Sequence, residues 1–154
     1  MLLRELTLDD YEAILPLFRA LDDLHIQARP DCNEYREDIY PKKAYVQVTE
    51  SPDCVMFGAF TEGNTMIGVV RATVWRGPKM VQPTDYVCLD DIYVLPDYRR
   101  QGIGQQLFQA VEQWAREQGT TRLELHVWDF NQNALAMYRA MGMKPQRYVL
   151  VKPL

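Results

Sequence analysis

The sequence predicts a single α/β domain, residues 1–154, built on one mixed sheet flanked by helices. Three observations predict it. β-rich runs and amphipathic helical stretches alternate along all 154 residues without a repeat, a low-complexity tract or a linker. Residues 54–61 and 65–75 are β-rich and joined by Glu62-Gly63-Asn64, the pattern of an antiparallel hairpin. Residues 86–127 read as strand, helix, strand, which makes the two strands parallel with a right-handed crossover. An apolar fraction of 47% supplies one core, and the length is short for two.

The elements follow in order. Residues 2–6 form a short strand. Thr7 and Asp10 then make an N-cap pair for a helix carrying Tyr11, Ile14, Leu15, Leu17, Phe18 and Leu21 on its apolar stripe, and Pro16 is expected to kink it. Pro30 and Pro41 punctuate an acidic segment expected to hold one or two short helices with loops. After the hairpin, Gly77, Pro78 and Pro83 place a loop over residues 76–83, and a strand over 86–94 is ended by Pro96. Leu107, Phe108, Val111, Trp114 and Ala115 recur at helical spacing from Gly104 to a stop at Gly119. Leu123, Leu125 and Val127 alternate with Glu124, His126 and Trp128 as a strand. A helix over 133–141 stops at Gly142, and residues 148–151 are expected to close the sheet as a final strand.

Charge and cysteine usage narrow the function. A net charge of −4 argues against a nucleic-acid surface or an anionic-membrane binder. Six acids between Asp22 and Asp38 face only Arg29 and Arg36, so this segment alone carries the net charge of the chain. Cys32, Cys54 and Cys88 lack any paired spacing, which indicates neither a disulfide framework nor a zinc site. His25 and His126 are isolated, and no metal is expected. No basic-then-apolar leader opens the sequence and no apolar run approaches bilayer length, so a cytoplasmic protein is expected.

The most informative stretch is Arg99-Arg100-Gln101-Gly102-Ile103-Gly104, between the end of a strand and the start of a helix. Two glycines let the backbone approach an anion, the helix start presents unpaired N–H groups, and the arginines supply countercharge. A dinucleotide fold wants a third glycine where Leu107 stands. A nucleoside-triphosphate loop wants a lysine and a hydroxyl residue where Gln105 and Gln106 stand. An anion binder of another kind remains.

The stretch from Asp91 to Gly104, with Arg99, Gly102 and Gly104 at fixed spacing, resembles the [QR]-x-x-G-x-[GA] motif of the GCN5-related N-acetyltransferases (GNAT). A second block agrees: Asn131, Ala134, Tyr138 and Gly142 match that family's N-x-x-A-x-x-x-Y-x-x-x-G pattern at a fitting distance. The two blocks cover roughly the C-terminal half. The resemblance implies a mostly antiparallel, twisted sheet splayed between its fourth and fifth strands, with helices on both faces and acetyl-CoA in the cleft. It implies a pyrophosphate site at Arg99, Arg100, Gln101, Gly102, Ile103, Gly104 and Gln105, and pantetheine contacts from the backbone of Ile92, Tyr93 and Val94 and from Asn131 and Tyr138.

The implied activity is direct acetyl transfer to a primary amine. An ammonium with a pKa of about 10.4 must lose a proton before it attacks a thioester, so a base is needed. Asp90 is the first choice, because it matches a glutamate of polyamine-acetylating relatives, and Asp91 is the second. Strand alternation sends them to opposite faces unless a bulge intervenes. Both can equally solvate a strand end or pair with Arg99 or Arg100. Tyr138, with an ordinary pKa of about 10, is the candidate acid for a thiolate whose conjugate acid is near 8.5. Asn131 also serves as a routine N-cap. The acidic segment falls where relatives build the acceptor site. A non-catalytic coenzyme A-binding module of the same fold is the rival reading, and a cofactor-free interaction domain is the third. No residue identifies the amine, or decides whether a homodimer forms.

Overall fold

The computed structural model describes residues 1–77 and 85–152. Five strands, β1 (Leu2–Glu5), β2 (Cys54–Phe60), β3 (Met66–Trp75), β4 (Tyr86–Val94) and β5 (Leu123–Leu125), lie in that spatial order. The first four pair antiparallel and β4 pairs parallel with β5. The helices are α1 (Tyr11–Ala28), α2 (Lys42–Thr49), α3 (Ile103–Glu117) and α4 (Gln132–Ala140). The β-strand bounds of the hairpin fall within one residue of the sequence reading, and most of the loop placed at 76–83 lies outside the described residues.

Chain direction is set at the first junction. The Asp10 carboxylate accepts the backbone N–H of Thr7 at 2.8 Å and a two-pronged bond from Arg4 at 2.7 and 2.8 Å, which ties β1 to the turn that starts α1. Helix α1 then continues through Pro16, the residue at which the sequence reading expects a kink. Pro16 lies within its second turn, while Ile14, Leu17 and Phe18 bury the helix face on either side of it. Residues 29–41 hold turns and no helix, so the acidic segment divides between the end of α1 and an irregular loop. Arg19 fastens that loop to α1 by donating to the Glu37 carbonyl at 2.8 Å.

Two cores sandwich the sheet. One face packs Val55, Val70, Val74, Val87, Leu89 and Val94 against Leu107, Phe108 and Val111 of α3 and Tyr138 of α4. The other packs Met56, Phe60, Val69 and Tyr93 against Ile14, Leu17 and Phe18 of α1 and Tyr45 of α2. Gly119 and Gly142, with φ of +73° and +87°, follow the last turns of α3 and α4.

Two expectations fail at the C-terminal side. β5 covers three residues and stops short of Val127, and residues 148–151 form no strand. Tyr148, Val149, Leu150 and Val151 are 81–93% exposed. Their composition favours a strand, but that preference needs a neighbouring strand and a packed face to act on, and here they have neither.

Candidate active site

Strand β4 outruns β5. Val87, Cys88 and Leu89 pair with Leu123, Glu124 and Leu125, and there β5 ends. β4 continues to Val94 with only its β3 edge paired, through Val70 to Ile92, Val69 to Tyr93 and Gly68 to Val94. The sheet is thereby splayed between its fourth and fifth strands. The wedge opens into a cleft of about 730 Å³, walled by Ile92, Tyr93 and Val94 on one side and by Asn131, Ala134 and Tyr138 on the other.

The floor of that cleft is the glycine run. Gly102 caps α3 with φ of +80°, a left-handed conformation that glycine adopts freely. Arg100 also has a positive φ of 62°, which costs an L-residue about 1 kcal/mol or more. A Cβ on Gly104 would come within 3.0 Å of the Met137 sulfur, so glycine is what lets α3 approach α4 here. The first turn of α3 contains no acid, leaving its N-terminal partial charge uncompensated. Arg99 donates from Nε to the Val94 carbonyl at 2.9 Å and lies over the Tyr93 ring at 5.2 Å, which fixes the turn against the strand end. Among the described residues, no ion pair involves Arg99 or Arg100. This donor set fits a pyrophosphate: backbone N–H groups, two guanidinium groups and no competing carboxylate.

Of the residues assigned to the cofactor from sequence, all but Gln101 line the cleft. Gln101 turns away and donates from Nε2 to the Asp97 carbonyl at 3.1 Å. Asn131 caps α4 by accepting from the Ala134 N–H at 3.2 Å while also lining the cleft.

Asp90 and Asp91 lie on the opposite side of β4 from α3, and a bulge puts them there together. Ala72 pairs with Leu89 and Arg71 with Asp91, so Asp90 is an extra residue without an opposite number. Leu89, Ile92 and Val94 pack toward α3, whereas Tyr93 packs toward α1. The alternation expected to separate the two acids is interrupted between them. Both face Arg71, whose Nη2 is 2.7 Å from Asp91 Oδ2 and whose Nε is 3.8 Å from Asp90 Oδ2. Arg71 is therefore the cation that these acids share, in place of Arg99 or Arg100.

The two carboxylates differ in what holds them. Asp90 Oδ2 accepts the Thr73 hydroxyl at 2.6 Å. Asp91 Oδ2 is buried and is held by the Arg71 Nη2 ion pair at 2.7 Å, while Arg71 Nε, 3.8 Å from Asp90 Oδ2, has no hydrogen-bond partner. Burial pushes the Asp91 carboxyl above its usual range, Arg71 opposes that rise, and the Asp90 charge adds to it. Arg71 donates from Nη1 to the Tyr40 hydroxyl at 3.2 Å, which steadies it from the α1 side. Tyr138 is 7% exposed, and burial, helped by the Asp91 charge, pushes its phenol up to about 12. Cys88, also buried, has a thiol pushed up to about 12 and is no nucleophile at neutral pH.

Sequence reasoning missed Arg71. Its signal was present: an arginine in the middle of the apolar strand run Val69-Val70-Arg71-Ala72 must find buried acids.

The comparisons with known proteins agree with this architecture. A family model described as "Acetyltransferase (GNAT) family" matches residues 17–143. Thialysine N-epsilon-acetyltransferase from Bos taurus is 43% identical over 70 residues, 46% of this chain and 37% of that protein. Aminoglycoside N(6')-acetyltransferase type 1 from Acinetobacter baumannii is 29% identical over 118 residues, covering 75% of this chain and 80% of that one. The chain spans 33–37% of the length of the thialysine acetyltransferases it matches. In fold, a variant of the BH1408 protein from Bacillus halodurans superposes with a TM-score of 0.94 at 24% identity, over 100% of this chain and 99% of that one.

Proposed function

Because the chain belongs to the acetyltransferase (GNAT) family, we propose that it is an acetyl-CoA-dependent N-acetyltransferase moving the acetyl group directly to a primary amine. The observation that carries this reading is the splay itself: β4 has an unpaired edge beside a turn suited to an anion, and on its other side a buried carboxylate whose pKa is raised although Arg71 lies against it. Acetyl-CoA would supply an activated acetyl thioester and a thiolate leaving group. The pyrophosphate would lie on the Gly102–Gly104 turn with Arg99 and Arg100, and the pantetheine amides would pair with the free edge of Ile92, Tyr93 and Val94 as an added strand.

Asp91 would take the proton from the incoming ammonium, with Asp90 second, the inverse of the order read from sequence. A base works best when its pKa is lifted toward that of the acid it deprotonates, and Asp91 is the carboxyl that burial lifts. Asp90 is committed to the Thr73 hydroxyl. Tyr138 keeps its proton throughout the neutral range. With its phenol pushed up to about 12, Tyr138 gives up its proton less readily than a free tyrosine does. Tyr138 therefore acts as a hydrogen-bond donor that stabilises the departing sulfur.

The names of the relatives, a thialysine and an aminoglycoside acetyltransferase, support a cationic amine as acceptor. A thiol-release assay with acetyl-CoA and a panel of amines tests the proposal. Release with at least one amine, abolished by Asp91→Asn, is expected. Tight acetyl-CoA binding without release for any amine would establish the rival, a non-catalytic binding module.

A further inference from the structure

The face of the sheet that carries Asp90 and Asp91 continues beyond them into an aromatic surface. Arg71, Thr73 and Trp75 alternate onto one side of β3, as the Thr73 bond to Asp90 and the Arg71 contacts show. The register is unbroken from Thr73 and Cys88 to Trp75 and Tyr86, so Trp75 and Tyr86 share that side. Their rings stack across the strands at 6.4 Å and 8°. The apolar cluster under α1 and α2 contains Val69 and Tyr93 but none of Thr73, Trp75 or Tyr86. Trp75 is 56% exposed. A tryptophan left this open serves no core.

Charge indicates what it receives. The stack already takes a cation at its other end, where the Arg122 guanidinium lies 5.0 Å over the Tyr86 ring. Asp90, Asp91 and Glu124 outnumber Arg71 and Arg122 on this side of the sheet. Indole is the strongest aromatic partner for a cation. We propose that Trp75, supported by Tyr86, is the distal specificity determinant for the acceptor, binding a second cationic group of an extended amine whose reacting nitrogen lies at Asp91. The proposal rests on the acetyltransferase reading for its reacting end. Four residues of β3 separate the Trp75–Tyr86 rung from the Arg71–Asp91 rung. At about 3.4 Å per residue the two cationic centres stand on the order of 14 Å apart.

Acetylation of propylamine, decylamine and decane-1,10-diamine tests this with purified full-length protein. The diamine should give the highest kcat/KM, and Trp75→Ala should lower it about fivefold to tenfold through KM, leaving propylamine within twofold. Equal losses for propylamine and diamine, or decylamine matching the diamine in the unaltered protein, would overturn the proposal. If no amine is acetylated, the catalytic reading fails, and the platform is still read directly. Decane-1,10-diamine should then quench tryptophan fluorescence saturably, and Trp75→Phe should abolish the quench; an unchanged quench in that variant refutes the platform.

Discussion

Asp91 combines three properties: burial, a guanidinium at 2.7 Å, and a second carboxylate as its neighbour in sequence. Its native pKa is raised, so the folded protein holds a proton to higher pH than the unfolded chain does. Stability from this group therefore falls as pH climbs from 3.8 through the raised value, and the ionised form at neutral pH is a cost. Asp91→Asn should abolish that cost while removing the proposed base. We expect kcat/KM to drop about 10²- to 10⁴-fold with no decrease in Tm at pH 7, as measured by steady-state kinetics and calorimetry. Tyr138→Phe should lower kcat about 10²-fold without moving the acidic limb of the pH profile, since that limb belongs to the carboxylate. A Tyr138→Phe variant with full turnover at every pH would remove the phenol from the reaction. Tyr138 and Asn131 were legible because their spacing is a sequence property. The different surroundings of Asp90 and Asp91 were not, because they depend on Thr73 and Arg71 across the sheet.

The junction of β1 and α1 makes a prediction of the opposite sign. The Arg4 guanidinium, more than burial opposes it, holds the Asp10 carboxyl below its ordinary value, and the Thr7 N–H adds to that. Its contribution is complete above pH 3.8 and is lost as pH falls toward the depressed native value. Asp10→Ala should destabilise the fold by about 1–3 kcal/mol at pH 7, and by much less below pH 3, in urea titrations at the two pH values. The Thr7 and Asp10 pair was readable from four residues of sequence. Elements whose stability is local, such as α3 with its strong apolar stripe and the Glu62–Asn64 turn, were equally readable. The stretch at 148–151 was not: a strand exists only where another backbone offers hydrogen bonds, and the sheet ends at β5.

For the whole molecule, the cleft between β4 and β5 links stability to occupancy. Acetyl-CoA at a hundred times its Kd should stabilise the folded state by about 2.7 kcal/mol, a rise in Tm of about 5–10 °C for a chain of this size. A thermal-shift series without any rise would show that the Gly102–Gly104 turn holds no cofactor. No helix among the described residues is long and apolar enough to cross a membrane. The splay was expected from two short motifs, yet its physical cause, a three-residue β5 beside a nine-residue β4, appears only when the strands are aligned. The bulge in β4 carries a further consequence. Reading Val87, Leu89, Asp91 and Tyr93 as a strict two-step sequence swaps the strand's inside for its outside at Asp91, whereas skipping Asp90 keeps Leu89, Ile92 and Val94 in phase. Asp90 is thus a spacer that the strand's apolar frame does not count. Deleting it outright, rather than substituting it, should close the ladder and preserve both cores, and turnover of that variant would test whether Asp91 alone suffices for the proposed transfer.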